Sequence, residues 1–155
     1  MLNQFIKYGL LLFTAFGLVS SAMGQVSKIE ADKICGVWIN ASGSRKIKIQ
    51  KEGNTYSAVI HWLKNPTNSI TGLPMTDINN PDFSKKNLPL LGLKVFHDFS
   101  FNVKKHSYVF GIVYNPDTGK EYEGLIKWVD ENTIIIREYV FFSMFGSNNT
   151  WRRSK

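Results

Sequence analysis

The chain has 155 residues, of which 43% are hydrophobic, 14% aromatic and 20% charged, with a formal net charge of +7 and a single cysteine. That length suits one domain able to bury roughly two-thirds of its unfolded surface, and the apolar share excludes a disordered chain. One cysteine excludes an intramolecular disulfide framework and a cysteine-rich zinc site.

The first element reads as a leader. Residues 1–7 carry one positive charge, Lys7, and an apolar run follows over residues 8–19. Small residues come next, with Ala22 and Gly24 at the −3 and −1 positions of a cut before Gln25. This is the pattern of a secretory signal peptide. The apolar run is about 12 residues, short of the ~20 that a spanning helix needs. Cys35 lies well past the run, which argues against a lipoprotein anchor. The expectation is a signal peptide over residues 1–24 and a single domain over residues 25–155, periplasmic or secreted.

Loss of Lys7 with the leader leaves 131 residues with a charge of +6. Outside the cytoplasm nucleic acid is a poor partner, so none is expected. A basic face there would meet anionic lipid, lipopolysaccharide or cell-wall polymer, or would simply keep the protein soluble. Lys85-Lys86, Lys104-Lys105 and Arg152-Arg153 are spread along the chain, which favours solubility. Cys35 reads as a reactive thiol, an intermolecular bridge or a small, partly buried thiol; with no His or Lys next to it in sequence, the last is favoured.

Ser27-Lys28-Ile29-Glu30 has capping-box spacing, so a short helix from Lys28 to Ile34 is expected. Period two then dominates. Ile47 and Ile49 alternate with Lys46, Lys48 and Gln50. Tyr108, Phe110, Ile112 and Tyr114 share one face of the next clear strand, and Tyr122, Gly124, Ile126 and Trp128 one face of the strand after it. Turn residues separate about eight strands, near 36–41, 44–50, 55–63, 91–98, 107–115, 119–129, 132–142 and 149–154. One irregular stretch, residues 64–89, interrupts them. The fold class expected is all-β, an antiparallel eight-stranded up-and-down barrel, with a two-layer sandwich as the alternative.

Gly36-Val37-Trp38 opens the first strand, and Trp151-Arg152-Arg153 lies in the last. This resembles the calycin arrangement of lipocalins and fatty-acid-binding proteins, where an arginine from the last strand covers the first-strand tryptophan. A guanidinium can stack on indole and still bond nearby carbonyls. Arg153, which shares a face with Trp151, is the first candidate for this barrel closure with Trp38, and Arg152 the second. The fuller order of motifs is similar to a bacterial envelope family, domain of unknown function 2147. The matching pieces are Gly36-Val37-Trp38, Ile60-His61-Trp62, Asp77-Ile78-Asn79-Asn80-Pro81-Asp82, Leu88-Pro89-Leu90-Leu91-Gly92-Leu93, the run from Tyr114 to Tyr122 and Thr150-Trp151-Arg152-Arg153. The family usually has an arginine where this chain has Lys85-Lys86, and often a glycine where Glu138 precedes Tyr139, so no shared anion site is carried over. The resemblance implies a calycin-like barrel and export. It implies no activity.

No nucleophile–base motif occurs, and His61, His97 and His106 lie in or beside strands. His97 and Asp98 are adjacent, which in a regular strand puts them on opposite faces. No enzyme activity and no cofactor are expected. Asp77, Asn79, Asn80 and Asp82 place four oxygen-bearing side chains within six residues. They read as calcium ligands or, preferably, as Asx-turn residues bonding their own backbone, and no metal is assigned. Asn115-Pro116-Asp117-Thr118-Gly119-Lys120 reads as a hairpin turn rather than a phosphate loop.

The aromatic rows fill the core or line a cavity for an apolar or amphipathic small molecule such as a lipid. The candidate ligand-binding residues are Tyr108, Phe110, Tyr114, Tyr122, Trp128 and Arg137, with Arg45 as a second head-group cation and residues 64–88 as a lid. The expected function is therefore that of an exported, non-catalytic envelope protein that binds such a ligand. The alternative is a structural or interaction module with a packed barrel. It would contact an envelope protein or membrane surface through residues 64–88 and through residues 141–146, which include Phe141-Phe142-Ser143-Met144-Phe145.

Overall fold

The computed structural model describes residues 29–140 and 146–155. The expected signal peptide and the segment Phe141-Phe142-Ser143-Met144-Phe145 lie outside the described residues. The chain falls into two compact units, Met1–Lys33 and Ile34–Lys155. Of the first, residues 29–32 form one helical turn, shorter than the helix expected from the capping box.

The second unit is all-β. Its strands are β1 (Gly36–Asn40), β2 (Arg45–Glu52), β3 (Thr55–Leu63), β4 (Lys94–Asn102), β5 (Ser107–Asn115), β6 (Lys120–Asp130), β7 (Thr133–Tyr139) and β8 (Gly146–Arg153). Each pairs antiparallel with the next. β8 returns to β1, with Trp38 opposite Arg153 and Asn40 opposite Trp151, so the sheet closes as a barrel and not as a sandwich. The fourth strand begins at Lys94 rather than near residue 91, because Leu90–Leu93 forms a turn with Gly92 at φ +86°.

One end of the barrel is packed with rings. Trp38 is fully buried, and the Arg153 guanidinium lies 4.3 Å from its ring centroid. Arg153 Nη1 also donates to the Cys35 carbonyl at 3.2 Å, and Trp38 Nε1 donates to the Ile34 carbonyl at 2.9 Å. Gly36 makes this possible: at φ +138° it has no Cβ, and one placed there would meet Arg153 Nη1 at 2.9 Å. Trp128 meets Trp38 edge-on with centroids 5.8 Å apart, and Tyr108 meets Tyr56 and Phe101 at 5.3 and 5.0 Å. Each such pair contributes about 0.5–1.5 kcal/mol beyond area burial.

Two facing bulges break the strand alternation. Asp98 in β4 has φ +63° and Phe110 in β5 has φ +62°. The pairs His97↔Ile112 and Ser100↔Val109 bracket them. An extra residue in a strand switches which parity faces inward. In β4 the inward set passes from Phe96 to Phe99, and in β5 from Tyr108 to Gly111 and Val113. The Phe99 ring lies over the backbone of Gly111 and Gly124, where a Cβ on either glycine would overlap it.

Residues 64–93 form a tied loop rather than a free one. Bridges join Thr67 to Pro74 and Thr76 to Pro89. Asp77 is fully buried and accepts from the Tyr114 hydroxyl at 2.8 and 2.9 Å and from Asn80 Nδ2 at 2.6 Å. Asn79 Nδ2 donates to the carbonyls of Pro116 and Asp117, both at 3.1 Å, and so pins the loop to the β5–β6 turn. Asp82 accepts from the backbone and hydroxyl of Ser84, which holds its carboxyl below the usual carboxylate range. The side chains of this segment thus bond Tyr114, Ser84, one another and nearby backbone groups. Burial, followed by the bond to Asp77, pushes the Tyr114 hydroxyl up to about 12.

Two measurements follow from these contacts. Trp38→Ala should cost about 3–5 kcal/mol and Arg153→Ala about 1–2 kcal/mol in denaturant unfolding. The double variant should fall short of their sum by about 0.5–2 kcal/mol, because each loss removes the same stack; additive losses would show that the stack contributes nothing. Tyr114→Phe leaves a buried carboxylate short of a donor and should destabilise by about 1–3 kcal/mol. A tyrosine whose folded pKa lies above its unfolded value of about 10 stabilises fully below pH ~10, and loses that contribution as pH rises toward 12. The gap between wild type and Tyr114→Phe should therefore be widest below pH ~10 and shrink above it; a gap independent of pH would rule out this bond as its origin.

Candidate functional site

The end opposite the ring cluster holds a cavity of about 470 Å³. Its apolar wall is built from Ile47, Val95, Phe96, Val113 and Trp151, and its polar rim includes Asn40, Arg45, Asp117, Glu138 and Asn149. This size falls in the range of small-molecule sites, and the lining is about evenly divided between polar and apolar groups.

The arrangement comes from period two carried to the ends of four strands. In β1 the inward row steps from Trp38 to Asn40, in β2 from Ile47 to Arg45, in β7 from Ile136 to Glu138 and in β8 from Trp151 to Asn149. Each row is apolar in the barrel and turns polar at its last step toward the mouth.

The rim side chains are held in place. Asn40 Oδ1 accepts from the backbone N–H groups of Ser44 and Arg45 at 2.9 and 3.1 Å, closing the β1–β2 hairpin. Arg45 Nη2 lies 2.8 Å from each carboxylate oxygen of Asp117, so strand β2 is tied to the β5–β6 turn. Such a partly exposed pair contributes up to about 1 kcal/mol. Glu138 accepts from Asn149 Nδ2 at 2.9 Å. Burial pushes the Glu138 carboxyl above its ordinary range; the Asn149 bond and the Arg45 charge oppose this, and the Asp117 charge adds to it.

The sequence-derived candidates separate. Tyr114 borders the cavity, with its hydroxyl turned to Asp77. Arg45 also borders it. Tyr108 and Trp128 belong to the packed closed end. Tyr122 is half-buried on the row of Gly124 and Ile126 and stands opposite Val113, outside the cavity lining. Phe110 is a correction: it is 82% exposed, because the bulge turns it out of the row it was expected to share with Tyr108. Arg137 is likewise corrected. It alternates with the inward Ile136 and Glu138 and does not border the cavity, and its Nη1 donates to Asn148 Oδ1 at 2.8 Å. For the closure, Arg153 takes the place over Trp38, while Arg152 is exposed. None of residues 64–93 borders the cavity.

His97 and Asp98 were expected on opposite faces, yet His97 Nδ1 and Asp98 Oδ2 lie 2.7 Å apart. The left-handed backbone at Asp98 brings the neighbours together. The pair is exposed and does not border the cavity. Reading the sequence for histidines and aromatics missed Glu138, Asn149 and Asp117. The row Ile134, Ile136, Glu138 carried the signal for the first.

No curated protein matches the chain. Among solved structures, the barrel is similar to protein HP1028 from Helicobacter pylori, described as belonging to the lipocalin family. The two share a TM-score of 0.66 and 17% identity over 78% of this chain and 82% of that one, a likeness of fold. The model of a bacterial family, described as an uncharacterized protein conserved in bacteria, matches residues 36–153. With the match spanning the barrel from Gly36 to Arg153, the chain belongs to that family, domain of unknown function 2147.

Proposed function

We propose that this protein is an exported binding barrel that takes a small apolar or amphipathic ligand into its mouth cavity, without catalysis. The observation that carries the reading is the cavity of about 470 Å³ with an apolar wall and a fixed polar rim. The packed rings at the other end leave the mouth as the way in. Export rests on the leader pattern over residues 1–24. Native mass spectrometry of protein purified from its own envelope fraction should show a chain beginning at Gln25 with a non-covalent small-molecule mass. Asn149→Trp, which places a large ring in the cavity, should lose that mass while its circular dichroism stays that of the folded barrel, although loss of the bond to Glu138 should cost about 1–3 kcal/mol of stability. An unloaded wild-type chain that also takes up no added decanol, decylamine or decanoate would overturn the binding reading, and an uncut leader would overturn export.

A second reading has its own observation. Ile70 and Phe83 in the long loop are 92% and 84% exposed, and Leu73 and Ile78 are exposed with them. Lys86 Nζ lies 6.0 Å from the Phe83 ring, with Lys85 beside it. Apolar side chains next to lysines suit an anionic lipid surface. In co-sedimentation, the protein should bind phosphatidylglycerol vesicles better than phosphatidylcholine vesicles, and Ile70→Ser with Phe83→Ser should weaken this severalfold. Equal recovery with both lipids would exclude this contact.

A further inference from the structure

The geometry points to a ligand with a protonated amine on an apolar body, with Glu138 as the group that receives the ammonium. This rests on the binding reading above and specifies the ligand class.

Among the described residues, one basic and two acidic side chains border the cavity, with different commitments. Arg45 and Asp117 are already paired at 2.8 Å, so the cation of the rim is engaged by an acid of the rim. Glu138 stands on the wall at the end of the inward row of β7, and its partner among the described residues is the neutral amide of Asn149. The nearby Arg45 charge favours the Glu138 carboxylate but is itself bonded to Asp117, so this half-buried carboxylate, bonded only to a neutral amide among the described residues, gains from a ligand that brings a cation into direct contact. With all three groups ionised the rim carries one net negative charge, inside a chain whose overall charge is +7. The raised titration of Glu138, caused first by burial, agrees with a charge left partly uncompensated.

The same geometry disfavours a fatty-acid head group. A carboxylate entering beside Glu138 and Asp117 would meet like charge, and it could use Arg45 only by displacing Asp117. A neutral alcohol would find Asn149 and Asn40 but would leave Glu138 as it is. The ammonium is the head group that meets the unmatched carboxylate, while an alkyl or aryl body lies against Phe96 and Trp151, whose centroids are 6.4 Å apart.

Calorimetric titration at about pH 7, where an alkylamine is protonated, tests this with decylamine, decanol and decanoate, which share one chain and differ in head group. Wild type should bind decylamine roughly tenfold or more tightly than decanol, with decanoate weakest. Glu138→Gln keeps the shape of the side chain and should lose the preference for decylamine while keeping decanol affinity, which also certifies its fold. Lowering pH through the raised range of Glu138 should weaken decylamine alone. Equal affinity for the three probes, tightest binding of decanoate, or an unchanged decylamine preference in Glu138→Gln would overturn the inference while leaving the cavity a binding site. Failure of all three probes to bind wild type would overturn both.

Discussion

Closure of β8 on β1 is the constraint from which the rest follows. Eight antiparallel strands joined in order leave two long unpaired edges unless the last returns to the first. Here the register that returns it places Arg153 opposite Trp38, and the guanidinium then stacks on the indole. The stack does two things at once. It stoppers one end of the barrel, and it ties the chain terminus back to Cys35 through a main-chain carbonyl. Gly36 is part of the same device, because the space of its missing side chain is filled by the Arg153 head. With the rings of Trp128, Tyr108, Tyr56 and Phe101 packed behind Trp38, unfilled volume is left at the opposite mouth.

The facing bulges at Asp98 and Phe110 decide how the middle is filled. A left-handed backbone at a bulky residue such as Phe110 costs of order 1–3 kcal/mol. In return, the strands bend together and Phe99 turns inward over two glycines. A larger residue at either glycine position would drive Phe99 out of the wall and reopen the centre of the barrel. The outward turn of Phe110 and the meeting of His97 with Asp98 are by-products of this bend rather than features of a site.

Much of the fold was legible because it is written in period two and in turn residues. Strand alternation, as in Ile47 and Ile49 against Lys46 and Lys48, together with the turn residues indicated eight antiparallel strands, while the closed end came from the resemblance of Gly36-x-Trp38 and the late arginines to the calycin arrangement. What the pattern does not carry is an inserted residue. A bulge keeps the composition of a strand and inverts its facing, so Tyr108 and Phe110, two apart, look like one row and are not. Arg137 was misread for a different reason: its charge drew attention although its parity, beside Ile136, places it outside. Nor did spacing show that Asp77 reaches Tyr114, because that bond joins a loop to a strand 37 positions away.

Glu138 shows where the residue pattern outweighs residue type. An acid in a strand of isoleucines reads at first as the end of the strand, a solvated position with nothing to do. Its place in the row Ile134, Ile136, Glu138 says otherwise, since side chains two apart share a face and this face is the inside of the barrel. The steps Trp38 to Asn40, Ile47 to Arg45 and Trp151 to Asn149 repeat the same change on three other strands. A single such step is strand fraying into water. Four on strands that the closed sheet gathers around one opening make a polar collar above an apolar chamber, and that orders any occupant: apolar part inward, polar part at the rim. Arg45 and Asp117 satisfy each other within that collar. Glu138, bonded by a neutral amide and flanked by an Arg45 that Asp117 already engages, is the rim carboxylate that the proposed ligand cation meets, so on this reading the rim turns on one carboxylate of β7 rather than on the aromatic rows that first draw the eye.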